Sequence, residues 1–254
     1  MRVFIVTKRR LCVGLAICLS MLMGLGVGMH AALSSSAKGE RLLPIYSVQT
    51  KENKICLTFD VAWGNSDVDE ILSILETNGA KATFFTTGEW VDRYPEDVQK
   101  MLAGGHDVQS HSDKHPHVAK IGADQLRADT QACADKLLKL TGTSPKYYRA
   151  PYGEYDNEMM QTLSDYQVIQ WDVDSRDWKP DATVESIVKN ATTNVKPGSI
   201  LLFHVDAKAK NTAKALEQLL PTLTGQYQCV LLDDLVLTQN YTIDHAGKQI
   251  PVAT

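Results

Sequence analysis

Between residues 54 and 240, seven short apolar runs alternate with six segments of helical period, and this alternation constrains the fold more than any other feature. The runs cover 54–60, 82–86, 106–111, 147–150, 168–172, 199–205 and 228–232, and are short enough and apolar enough to be buried strands. Helical patterns fill 66–78, 91–103, 123–140, 156–166, 183–192 and 207–220. Asn78-Gly79, Gly104-Gly105 and Thr141-Gly142 stand where helix C-terminal stops are expected. Repeated βα units imply a parallel sheet covered by helices, in a single domain of α/β class. Periodicity leaves open whether that sheet is a doubly wound one or an incomplete, closed barrel.

The polar residues at the ends of these runs give the fold a purpose. Asp60, His111, Arg149, Asp172 and His204 each fall at the C-terminal end of a different run, the edge where parallel α/β folds keep their active sites. Taken singly, each has an ordinary explanation. Asp60 could cap the helix that follows, His111 and His115 could be loop histidines, and His204 could be a satisfied core histidine. Independent accidents would not share one rim, however, and the set reads as a hydrolytic site. In that reading His111 and His115, four apart in HSDKH, hold a divalent metal. Asp60 takes a proton from the attacking water, His204 protonates the leaving group, and the N–H of Tyr152, aimed by the stiff turn Pro151-Tyr152-Gly153, stabilises the oxyanion. Arg149 pairs with the carboxylate base through its planar fork.

Charge and terminal sequence narrow the setting. A formal net charge of -4 over 254 residues gives no basic field for a polyanion, so nucleic acid is not an expected partner. Arg2, Lys8, Arg9 and Arg10 precede an apolar run, 11–29, broken only by Ser20, which suits a single-pass membrane anchor with its basic flank cytoplasmic. The alternative is a cleaved signal peptide, with Ser35-Ser36-Ala37 as the small-residue site. Either way the remainder is exported, as a membrane-held extracytoplasmic domain or as a secreted one. The expected organisation is an anchor or signal peptide at 1–33, a linker at 34–48, the catalytic domain at 49–240 and a C-terminal tail at 241–254, in a monomer. Among the five cysteines no paired spacing suggests a zinc knuckle or a disulfide framework, and Cys56 and Cys229 lie in apolar runs where cysteine behaves as a small hydrophobe. No glycine-rich phosphate loop follows the first run, which argues against nucleotide binding.

The ordered set TFDVAWG, HSDKH, RAPYG, DSRDW and LLFH resembles the five motifs of the polysaccharide deacetylase family, carbohydrate esterase family 4, over about residues 54–234. That resemblance implies a distorted, incomplete (β/α) barrel with about seven parallel strands. It also implies hydrolysis of N-acetyl groups from peptidoglycan or chitin-like amino sugars. By the same resemblance Asp60 is the base, His111 and His115 are metal ligands for zinc or cobalt, and Arg149 orients the base. Asp177 tunes the acid His204, while Tyr152, Pro151, Trp178 and Leu202 meet the substrate. The anchor and the TFD-x-x-W-G form of the first motif are most similar to the sporulation-type membrane-anchored members.

One position departs from the family pattern. Two adjacent aspartates are usual in the first motif, base then ligand, and the second is here Val61. An aliphatic side chain cannot donate to a cation, so two histidines stand where three ligands are expected, with Asn65 or Asp67 as candidates for the third. Weaker metal binding is the expected consequence, and a catalytically impaired, glycan-binding protein in spore envelope assembly is the alternative function.

Overall fold

The structure is a computed structural model and describes residues 41–205 and 209–252. The expected anchor or signal peptide at 1–33 lies outside the described residues, among which no helix is long and apolar enough to cross a membrane.

Eleven strands are present among the described residues: β1 Ser47–Val48, β2 Lys54–Val61, β3 Ala82–Thr86, β4 Asp107–Ser110, β5 Tyr147–Tyr148, β6 Gln167–Val168, β7 Val173–Asp174, β8 Ile200–Val205, β9 Gln228–Cys229, β10 Tyr241–Ile243 and β11 Lys248–Pro251. Seven of them form one parallel sheet in the order β6-β5-β4-β3-β2-β8-β7, and β9 pairs with the start of β2. Curled on itself with helices outside, this sheet is the expected incomplete barrel of a single α/β domain. The helices are α1 Val68–Thr77, α2 Gly88–Arg93, α3 Pro95–Ala103, α4 Ala123–Thr141, α5 Asn157–Thr162, α6 Val184–Thr192 and α7 Thr212–Thr224.

β2 is the central strand, and its pleat sorts the chemistry. Ile55, Leu57, Phe59 and Val61 join the larger apolar core with residues of α1, α3 and α7. Cys56 belongs to a second core, with Phe85, Tyr147 and Ile169. Thr58 and Asp60 alternate with the first set, and Thr58 donates its hydroxyl to the Leu201 carbonyl at 2.6 Å. Asp60 pairs in register with Phe85 on β3 and His204 on β8, so two of the expected catalytic side chains leave adjacent strands at one level.

Several elements differ from the sequence expectation, each for a local reason. The single run expected at 168–172 falls largely in the gap between β6 and β7, because the chain changes neighbours there. The Ile169 N–H bonds Tyr148, the Gln170 N–H bonds Ile45, and Asp172 takes the Ile200 N–H with its carboxylate. The helix expected at 91–103 is two: Pro95 begins α3 and the intervening Tyr94 has φ -131. The helix expected at 156–166 is the short α5, opened by Asp156, whose carboxylate accepts the Met159 N–H at 2.8 Å.

The expected tail at 241–254 holds the hairpin β10–β11. Asp244 Oδ1 accepts the N–H groups of Ala246 and Lys248, and Gly247 supplies φ 77 for the turn. β11 pairs in parallel with β1, so residues 47 and 48, expected in the linker, are part of the folded body.

Candidate active site

A cavity of about 430 Å³ opens at the C-terminal ends of the strands, lined by Asp60, Ala62, Trp63, His111, His115, Tyr152, Gly153, Trp171, Asp174, Trp178, Leu202 and His204. Six residues named from the sequence as acid-base, ligand or acetyl-pocket groups meet in it: Asp60, His111, His115, Trp178, Leu202 and His204. Tyr152 meets them with its ring as well. Arg149, Asp177 and Pro151 are buried behind the surface and do not line it.

Asp60 is fixed by Arg149, which is fully buried and donates from Nη1 to Asp60 Oδ1 at 2.8 Å. Its other donors hold the carbonyls of Ile169 at 3.3 Å and Gln170 at 3.1 Å, and its guanidinium lies 4.2 Å from the centroid of the Phe85 ring. Burial pushes the Asp60 pKa up, but the charges of His111, Arg149 and His204 and the hydrogen bond from Arg149 outweigh it, so the carboxyl sits below its ordinary value. Arg149 is the permanent cation of the three, because burial holds His111 itself below the ordinary histidine value. Asp60 is therefore ionised and able to accept a proton at neutral pH.

His204 is fixed by Asp177. Its Oδ1 lies 2.8 Å from His204 Nδ1, and its Oδ2 accepts both the His204 N–H and the Thr212 hydroxyl at 2.8 Å. Burial alone lowers the His204 pKa. The charge of Asp177 and its hydrogen bond, with smaller help from Asp60 and Asp174, reverse this and raise it. Asp177 thus orients Nδ1–H inward and leaves Nε2 for the cavity, the arrangement a proton donor needs.

His111 and His115 face the same space. His111 gives Nδ1–H to the Arg149 carbonyl at 2.8 Å, so Nε2 carries the free lone pair, 3.6 Å from Asp60 Oδ2. The His111 and His115 rings lie 5.0 Å apart, and His115 Nδ1 is buried without a hydrogen-bond partner. Burial and the neighbouring His111 push the His115 pKa down to about 3, so both rings are neutral donors at working pH. The loop that brings them together is strained, with φ 71 at Ser112 and φ 56 at His115. It is tied down by Asp129, which accepts the N–H groups of Asp113 and Lys114, and by Ser112 Oγ, which accepts the His115 N–H.

Two neutral imidazoles with an orphaned nitrogen suit a divalent cation. Among the described residues no group of three His, Cys, Asp or Glu side chains converges on a metal position. Neither candidate for the third ligand lines the cavity, and the Asn65 amide donates to Asp97 at 2.8 Å. Val61 is fully buried in the apolar core, on the face of β2 opposite Asp60, while Ala62 is the neighbour that reaches the cavity.

Sequence reasoning missed Thr212, Trp171 and the cavity role of Trp63 and Asp174. Thr212 begins a helix, where a threonine is unremarkable, and only its position below Asp177 gives it a role. Gly153 could have signalled Trp171: it has φ 67, and a Cβ there would come within 3.0 Å of the Trp171 ring.

Fold and site together set an ionised carboxylate against a carboxylate-held imidazole at the mouth of a half-barrel, an arrangement suited to hydrolysis. The chain belongs to the polysaccharide deacetylase family, whose sequence profile matches residues 47–171. It is 30% identical over 188 residues to a peptidoglycan-N-acetylglucosamine deacetylase of Bacillus cereus, covering 72% of this chain and 68% of that one. To a peptidoglycan-N-acetylmuramic acid deacetylase of Bacillus subtilis it is 29% identical over 207 residues, covering 78% and 76%. Among solved structures, a pseudoenzyme of carbohydrate esterase family 4 from Bacillus anthracis superposes with a TM-score of 0.71 at 26% identity, covering 82% of this chain and 70% of that one.

Proposed function

We propose that this protein hydrolyses N-acetyl groups of amino sugars in cell-wall glycan, of peptidoglycan or chitin-like type. One observation carries the reading: Asp60 and His204 face a single cavity from adjacent strands, each locked by a buried partner of opposite charge. Asp60 accepts the proton of a water poised over the acetyl carbonyl. The backbone N–H of Tyr152 faces the oxyanion as the tetrahedral centre forms. His204, protonated on Nε2 and held through Nδ1 by Asp177, gives its proton to the departing sugar nitrogen. Breaking the C–N bond then leaves acetate and a free amine. Leu202 and Trp178 enclose the acetyl methyl, and the exposed rings of Trp63, Tyr152 and Trp178 suit the apolar faces of sugars.

His111 and His115 would hold a divalent metal, zinc or cobalt, bound more weakly than by three ligands. Such a metal, when bound, supplies Lewis-acid polarisation of the acetyl group. The setting we propose is the outer face of a cell membrane, reached through the segment 11–29, in a sporulating cell, with the protein acting as a monomer.

Acetate release from defined N-acetylglucosamine oligomers and from peptidoglycan fragments, with added zinc, added cobalt or chelator, tests the proposal. Release that tracks protein concentration supports it. The second reading, a glycan-binding protein with impaired catalysis in envelope assembly, is favoured by Val61 in place of a ligand, by the lack of a group of three ligands among the described residues and by the likeness to a pseudoenzyme. It predicts oligomer binding without acetate under every metal condition.

A further inference from the structure

Beside the cavity, outside the acid-base machinery, His117 lies flat on Tyr152. The two ring centroids are 4.0 Å apart and the planes differ by 8°. His117 Nδ1 is 2.8 Å from Glu154 Oε1, so the imidazole is held at both its edge and its face. Tyr152 needs such a hold. Its φ is 60, a left-handed conformation that a bulky residue keeps only when its surroundings impose it, and the residue is 57% exposed. The Tyr152 ring also meets His115 in a T-shaped contact with centroids 4.7 Å apart. Gln170 Nε2 pins the following turn from below by donating to the Gly153 carbonyl at 3.1 Å. His117 and Glu154 therefore complete a clamp around the residue whose N–H must meet the oxyanion.

We infer that His117, fixed by Glu154, is a positioning residue: it stacks on Tyr152 to hold the strained Pro151-Tyr152-Gly153 turn, and with it the oxyanion N–H, in the geometry the reaction needs. The catalytic part of this inference rests on the proposed deacetylation; the clamp itself does not. His117 touches neither the acid nor the base, so its loss should act on the turn alone. A flat ring without a hydrogen bond, as in His117→Phe, should keep most of the stacking, whereas His117→Ala removes it.

Two readouts on the full-length chain test the inference. Amide hydrogen exchange of residues 150–154 reports the turn directly, because the Gly153 and Glu154 N–H groups bond the carbonyls of Ala150 and Pro151. Steady-state acetate release reports its use. His117→Ala is expected to speed exchange in this segment and to lower kcat about tenfold with little change in KM, since a misplaced oxyanion donor is felt in the transition state. His117→Phe should restore both, with the same unfolding midpoint as wild type. Wild-type exchange and kcat in His117→Ala would overturn the inference, as would equal losses in both variants with a lowered unfolding midpoint. If the wild type itself releases no acetate, the functional reading fails, and the exchange comparison alone decides whether the clamp exists.

Discussion

Replacing Arg149 with leucine is expected to be among the most damaging single changes in this protein, and the damage should show in two separable ways. Arg149 is 0% exposed, and its guanidinium satisfies one carboxylate and two carbonyls at once. Leucine has similar apolar reach but leaves Asp60, itself 8% exposed, as a buried charge without its permanent partner. Breaking a buried pair from one side typically costs about 3–5 kcal/mol, and the two stranded carbonyls place this case toward the upper part of that range. The second effect is on Asp60, the proposed base. With the charge and hydrogen bond of Arg149 gone, less opposes the upward push of burial and the Asp60 pKa rises, so the acidic limb of the kcat/KM profile should move to higher pH. Urea unfolding at neutral pH measures the first effect and the pH–rate profile the second. An unfolding free energy within about 1 kcal/mol of wild type, or an unmoved acidic limb in a folded variant, would refute the reasoning.

Other substitutions and conditions follow from the same contacts. Asp177→Asn should lower the His204 pKa and bring the alkaline limb of the profile to lower pH, because the charge and hydrogen bond that raise it are removed; an unchanged limb in a pH titration of kcat/KM would contradict this. Stability should fall as pH drops from about 6.5 toward 4, since His106 accepts the Ala82 N–H through Nδ1 and burial pushes its pKa down to about 4. In that window the unfolded chain binds a proton that the folded chain refuses, so His106→Gln should flatten the pH dependence of the unfolding midpoint. Val61→Asp should lower the thermal midpoint of the metal-free protein, because a carboxyl enters the apolar face of β2 at a cost of about 1–3 kcal/mol; an unchanged midpoint by calorimetry would show that the strand end turns it toward the histidines.

The parts of this architecture that local pattern controls were legible in the sequence. β2 and β8 are nearly continuous apolar runs with Asp60 and His204 near their C-terminal ends, and His111 directly follows β4; these polar residues are the visible sign that the strands reach the site. Hence Asp60, His111 and His204 were readable without coordinates, and the five ordered motifs placed the rest. What non-local partners control was not readable. The break between β6 and β7 depends on Ile45, over one hundred residues away, taking the Gln170 N–H. Strands β10 and β11 contain no long apolar run and exist because β1 pairs with one of them. Thr212 and Trp171 carry no local mark of their roles. The clamp on Tyr152 joins a histidine that looks incidental in HSDKHPH to a glutamate that follows RAPYG, and only the fold brings them together.

The central claim is that Asp60 as base and His204 as acid face one acetyl group and work together. The pH dependence of kcat/KM for acetate release, measured on the wild-type chain and on Asp60→Asn, tests it most directly. The account predicts a bell for the wild type, with its acidic limb below the ordinary carboxylate value and its alkaline limb above the ordinary histidine value. Asp60→Asn, which cannot take the proton, should lose turnover at every pH while keeping a folded cavity that still binds the oligomer. Turnover in Asp60→Asn comparable to wild type, or a wild-type profile with no acidic limb set by Asp60, would contradict the account.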